Sequence, residues 1–100
     1  MKKVLVLGAG LAGGPLEKYL LDQPDLSLVV ADVEAGRAAK LAGGHPRGAA
    51  EVLDIANRTA LAAAIGRADL VISMVPYVFH PVVAELAVEQ GKHLVTASYV

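Results

Sequence analysis

One hundred residues, 55% of them apolar and 19% charged, make one domain with one core and exclude a disordered chain. Nine basic against ten acidic residues leave a net charge of −1, so nothing neutralises a run of phosphates and no nucleic-acid partner is expected. The absence of cysteine excludes disulfides, a thiol nucleophile, Fe–S clusters and Cys-ligated zinc.

The first apolar run, Val4-Leu5-Val6-Leu7, has no polar member. It reads as a strand buried on both faces, as in parallel sheets. With Met1-Lys2-Lys3 ahead of it, the run imitates a signal peptide for only a few residues. It ends in glycines, with no long apolar stretch and no small-residue cleavage site, so a cytoplasmic location is expected. No later run approaches the ~20 residues that span a bilayer, so no membrane partner is expected either. Gly8-Ala9-Gly10-Leu11-Ala12-Gly13 follows, and Leu16, Tyr19 and Leu20 then recur at helical spacing.

Leu26–Ala31 is the second strand. Ala35–Ala42 is a short alanine-rich helix ended by Gly43-Gly44. A weaker third strand runs from Gly48 to Leu53 and stops at Asp54. Asn57 caps a helix that continues through Ile65 and ends at Gly66. Leu70–Val75 is the fourth strand, stopped by Pro76. Pro81 marks the first turn of a helix that carries Val82, Val83, Leu86 and Val88 and ends at Gly91. His93–Ala97 is the fifth strand. This alternation predicts an α/β domain: a doubly wound, Rossmann-type parallel sheet with helices on both faces and right-handed crossovers. The expected strand order is 3-2-1-4-5, with ligands at the carboxyl ends near the reversal between strands 1 and 4.

The glycine run matches G-x-G-x-x-G, and it stands where that motif needs to be, between a buried strand and a helix. Gly8 permits the tight turn. Gly10 lets a pyrophosphate approach the backbone. Gly13 lets the helix pack close to the sheet, and the helix N-terminus offers free N–H groups to the phosphates. A merely tight strand-to-helix turn is the alternative. Asp32 ends the second strand, 22 residues after Gly10. A carboxylate there accepts hydrogen bonds from the adenosine ribose and repels a 2′-phosphate, which favours NAD over NADP. Arg37, five positions on, is the candidate partner of a 2′-phosphate. Asp32 can equally cap the segment starting near Glu34. Asp54-Ile55, just past the third strand, lies where an acid contacts adenine, or else Asp54 is a turn residue before Asn57. Ser73-Met74-Val75-Pro76-Tyr77 leaves the fourth strand where its backbone would pass under the pyrophosphate and nicotinamide ribose. Tyr77 and Phe79 either line that edge or close the core. Ser98-Tyr99 leaves the fifth strand at the same edge, to meet the nicotinamide half or a substrate, or as an ordinary polar exit. His80 helps bind substrate or caps the next helix. No pair among His45, His80 and His93 has metal-ligand spacing with a nearby acid, so no metal site is expected.

Val-Pro-Tyr-Val-Phe-His-Pro, the final Gly-Lys-His-Leu-Val-Thr-Ala-Ser-Tyr-Val, the opening Val-Leu-Gly-Ala-Gly-Leu-Ala-Gly-Gly-Pro and the central Val-Leu-Asp-Ile carry a resemblance. Across nearly all 100 residues the chain resembles the N-terminal NAD(P)-binding domain of the saccharopine dehydrogenase and saccharopine reductase family. The resemblance implies an oxidoreductase of lysine metabolism that converts saccharopine to aminoadipate semialdehyde and glutamate with a nicotinamide cofactor. It implies that Gly8 to Leu11 hold the pyrophosphate, Ala31, Asp32 and Val33 the adenosine ribose, and Asp54 and Ile55 the adenine. It also implies that Val75, with Pro76 beside it, and Ala97 contact the cofactor, and that Ser98 and Tyr99 reach the amino-acid substrate. Glutamate-forming members usually carry a Ser-Arg or Cys-Arg pair after the second strand, suited to NADP. Ala31-Asp32 stands there in this chain.

A second domain, holding most of the substrate site, the catalytic acid or base and the contacts of a homodimer, is expected outside these 100 residues. The chain then reads as a cofactor domain that binds but does not turn over alone. Two alternatives share the motifs. One is a sister imine-forming dehydrogenase, such as one acting on carboxynorspermidine. The other is a nucleotide-sensing regulatory domain, which has no evident use for Pro76-Tyr77 or Ser98-Tyr99.

Overall fold

The computed structural model describes residues 2–8, 22–34, 36, 39, 46–74 and 79–96. Five strands form one sheet: β1 (Lys2–Leu7), β2 (Leu26–Asp32), β3 (Gly48–Val52), β4 (Leu70–Ser73) and β5 (His93–Thr96). Their order is β3-β2-β1-β4-β5, with every neighbouring pair parallel. The expected sheet is therefore the observed one, and the reversal falls between β1 and β4. Val4, Val6, Leu28, Val30 and Ile72 are buried on one face. Leu5, Leu7, Ala31 and Val71 are buried on the other. A central strand with two buried faces has no room for a polar position, and this is why β1 ends in four consecutive apolar residues. The first expected helix lies outside the described residues. Of the second, the backbone is helical at Gly36 and Ala39.

Helix α1 spans Arg58–Gly66 and α2 spans His80–Glu89. The Asn57 side chain accepts from the Ala60 N–H at 3.1 Å, the cap that its position predicts. Leu61, Ala64 and Ile65 then turn inward, at helical spacing, onto Leu5, Leu7 and Val71. The α2 stop also follows the expectation. Gly91 has φ +66°, its N–H bonds the Val88 carbonyl at 3.1 Å, and the Lys92 N–H bonds the Ala87 carbonyl at 2.8 Å. Those two bonds form a Schellman turn, which needs a left-handed residue.

Several boundaries move. β1 begins two residues earlier than expected, where the Lys2 N–H reaches the Asp25 carbonyl. β3 stops at Val52 and β4 at Ser73. β5 is described to Thr96. α1 ends at Gly66 as expected, with Gly66 as its last helical residue and Arg67 following in ordinary right-handed geometry. A Cβ at Gly66 would sit 2.7 Å from Gln90 Oε1, the far end of a flexible side chain that would have to shift. Gln90 Nε2 meanwhile donates to the Ala62 carbonyl at 2.9 Å, tying α2 to α1. Val88 is 78% exposed rather than part of the buried stripe, which runs through Val83, Leu86 and Ala87. No helix among the described residues is long and apolar enough to cross a membrane.

Candidate functional site

The parallel register brings the carboxyl ends of four strands to one crest. Leu7 stands beside Ala31 on one side and Ser73 on the other, and Ser73 stands beside Thr96. Three backbone bonds extend the ladders past the strand ends. The Gly8 N–H donates to the Ala31 carbonyl at 2.8 Å, Met74 N–H to Leu7 at 2.8 Å, and Leu53 N–H to Asp32 at 2.9 Å. The crest is thus fixed by the backbone, whatever side chains sit on it.

Gly8 leaves β1 with φ +89°, a conformation that L side chains rarely adopt. The sequence assigned it the tight turn, and its positive φ suits that role, while the residues after it lie outside the described ones. Gly10, Leu11 and Gly13 lie outside the described residues. Ala31 is fully buried under α1 and Val33 is exposed. Asp32 is the last residue of β2 and only 7% exposed. Its Oδ1 accepts from the Glu34 N–H at 3.2 Å, so the carboxylate holds the exit of its own strand. That bond is local and leaves the residue where a ribose reader must stand, one strand from Gly8. The two sequence readings of Asp32, ribose reader and local cap, are therefore compatible.

Asp54 is an Asx turn: Oδ1 accepts from the Ala56 N–H at 2.9 Å, and its carbonyl accepts from Asn57 N–H at 2.9 Å. The turn reading of Asp54 is observed, on an exposed loop beyond β3. Ile55 packs against the buried cluster beneath α1 and α2. Phe79 is half-buried against the same cluster, the core-closing role, and it occupies the N-cap of α2 without a side-chain cap bond. His80 is the first helical residue, so the cap position belongs to its neighbour. Val75, Pro76, Tyr77, Ala97, Ser98 and Tyr99 lie outside the described residues, as do Arg37 and His45. Among the described residues no three His, Asp or Glu side chains gather as a metal site requires.

One crest residue carried no side-chain signal in the sequence. Ser73 is fully buried, and its hydroxyl has no hydrogen-bond partner. A serine inside an apolar strand reads as a small core residue, and only packing reveals the unmatched group. At the opposite end of the sheet, a cavity of about 480 Å³ is lined by Lys3, Leu5, Val29, Arg47, Glu51 and Arg67. It is remote from the crest and shares none of the predicted site residues.

A left-handed glycine at the strand reversal, a buried carboxylate one strand away and an unmatched buried hydroxyl suit a ligand laid across the crest. The tight exit at Gly8 and a hydroxyl acceptor at Asp32 fit a dinucleotide, whose approach to the backbone the sequence reads at Gly10, outside the described residues. The comparisons agree. Residues 4–100 match the family model of the saccharopine dehydrogenase NADP binding domain. The chain is 35% identical over 100 residues to the L-glutamate-forming, NADP(+) saccharopine dehydrogenase of Schizosaccharomyces pombe, covering all of this chain and 22% of that one. It is 33% identical over 99 residues to the mitochondrial alpha-aminoadipic semialdehyde synthase of Mus musculus, covering 99% of this chain and 11% of the relative. The apo L-Glu-forming saccharopine dehydrogenase of Saccharomyces cerevisiae superposes with a TM-score of 0.89 at 34% identity, over 100% of this chain and 22% of that one. The chain thus spans about a fifth or less of the length of these relatives. By the match over nearly its whole length, this chain belongs to the saccharopine dehydrogenase NADP-binding domain family.

Proposed function

We propose that this chain is the cofactor domain of an oxidoreductase that acts on saccharopine, yielding aminoadipate semialdehyde and glutamate in lysine metabolism. Membership of the family supports binding of a nicotinamide dinucleotide. The nicotinamide, when bound, supplies hydride acceptance and donation. The chain's own residues do the holding. Gly8 opens the backbone at the crest, the Asp32 carboxylate takes the adenosine ribose, and Asp54 with Ile55 borders the adenine. Val75, Pro76 and Ala97 line the nicotinamide half, and Ser98 and Tyr99 touch the amino-acid substrate. A second domain supplies the acid or base and the dimer contacts of the longer, homodimeric protein.

The observation that carries the cofactor reading is Asp32, a buried carboxylate at the end of β2. The saccharopine dehydrogenases of Schizosaccharomyces pombe and Pyricularia oryzae are NADP(+) enzymes. A negative side chain at the ribose opposes a 2′-phosphate and supports NAD in this chain. Side-by-side titration with NADH and NADPH, followed by nicotinamide fluorescence, tests this. NADH should bind tighter, and Asp32→Ala should weaken NADH by about 5–10-fold, the scale of one charge-assisted hydrogen bond. Tighter NADPH binding by the wild type overturns the NAD preference and directs attention to Arg37. Saccharopine oxidation by the 100 residues alone would overturn the division of labour between the two domains.

A further inference from the structure

Among the described residues, Ser73 Oγ is the buried side-chain polar atom with no partner. Its neighbours set its direction. Val71, two residues before it, packs with Leu7 and Val83 on the helix-covered face. Alternation along the strand turns Ser73 the same way, level with Leu7 and Thr96 and one residue beneath the Gly8 turn. A hydroxyl shut from water without a partner is costly, and natural cores match nearly all such groups. An apolar residue of the same size would spare that cost. Yet the group sits in the top layer of β4, at the strand reversal, where the crest meets its ligand.

We propose that Ser73 is a positioning residue for the dinucleotide, and that its hydroxyl gains its hydrogen bond only in the bound state. Leaving the bond unmade in the free chain raises the energy of that state, so binding recovers it. The inference rests on the dinucleotide reading above and adds one residue to it.

The test compares wild type, Ser73→Ala and Ser73→Cys in two readouts: Tm without ligand, and Kd for NADH and for NADPH. Alanine removes the unmatched group. The ligand-free Tm should stay level or rise, while the Kd for the preferred dinucleotide weakens about 5-fold, the scale of one hydrogen bond. Cysteine keeps the shape at a somewhat larger volume but donates poorly, so it should bind like alanine. Equal Kd values for wild type and alanine overturn the positioning role. So does an alanine variant that loses Tm, because the hydroxyl would then be matched in the free chain. A wild type that binds neither dinucleotide removes the function proposed above and this role with it, a result readily told apart from equal binding.

Discussion

At the amino end of the sheet the described polar groups are matched inside the chain; at the carboxyl end one buried hydroxyl, that of Ser73, is not. Arg47 Nη1 donates to the Leu26 carbonyl at 2.8 Å and also to the Gln23 carbonyl. The Asp69 carboxylate accepts from the Lys3 N–H at 2.8 Å, and the Lys3 carbonyl accepts from the Asp69 N–H at 2.7 Å. Arg67 pairs with Glu51 at 2.8 Å on the rim of the lower cavity. At the crest, by contrast, Gly8 spends a left-handed turn, Asp32 buries a carboxylate and Ser73 an unmatched hydroxyl. The amino end is closed by its own hydrogen bonds, and the carboxyl end keeps one buried group unmatched.

Substitution at each end should therefore separate stability from binding. The largest effect is expected at Gly8→Ala. A Cβ at φ +89° strains the exit from β1 by about 1–2 kcal/mol, and under the proposed function that shifts the glycine loop that would hold the dinucleotide. Dinucleotide binding should fall more than about 10-fold, beyond what the loss of stability explains, because the folded fraction remains near unity. Calorimetry for Tm and fluorescence titration for Kd check this together. A normal Kd with a lowered Tm would make the turn purely structural.

The opposite pattern is expected from Arg47→Met, which keeps the apolar stem and removes the guanidinium. Two strand-end carbonyls lose a charged donor, at about 2 kcal/mol. Urea unfolding should register that loss while Kd stays within about twofold of wild type, as additivity over distance requires. A large change in Kd would mean that the two ends are coupled through the sheet.

The same division explains what was legible in the sequence. The sheet order followed from apolar runs separated by helical patterns, because local periodicity and right-handed crossovers leave few arrangements. The Asn57 cap and the Gly91 stop were legible because their chemistry is local. The end of α1 at Gly66 was legible too, but its closeness to Gln90 was not, because that residue comes from beyond another helix. The helix carrying Val82, Val83, Leu86 and Val88 was legible, but which of its residues are buried was not, and packing selects Val83, Leu86 and Ala87. The Lys3–Asp69 pair spans 66 residues, and no local pattern announces it. At the crest, Gly8 and Asp32 were legible from spacing. The Ser73 hydroxyl was not, because a missing partner is a property of packing.

The smallest effect concerns the amino end, where it reads the Lys3–Asp69 bridge directly. The hydrogen bond from the Lys3 N–H holds the Asp69 carboxyl below its ordinary value, with the charges of Lys2, Lys92 and Lys3 adding to it against a desolvation that opposes. A carboxyl whose folded pKa is lowered stabilises the fold above its unfolded value, near pH 4, and loses that contribution as pH falls through the folded value. Asp69→Asn removes the titration and keeps an acceptor at the same place. The Tm difference between wild type and Asp69→Asn should then be flat at neutral pH and shrink below about pH 4. Because the group is exposed, salt should shrink it too. A difference that persists unchanged to pH 2 would mean that geometry, not charge, joins β1 to β4 at that end. Dinucleotide affinity should be indifferent to the substitution at every pH, because the crest lies at the far end of both strands.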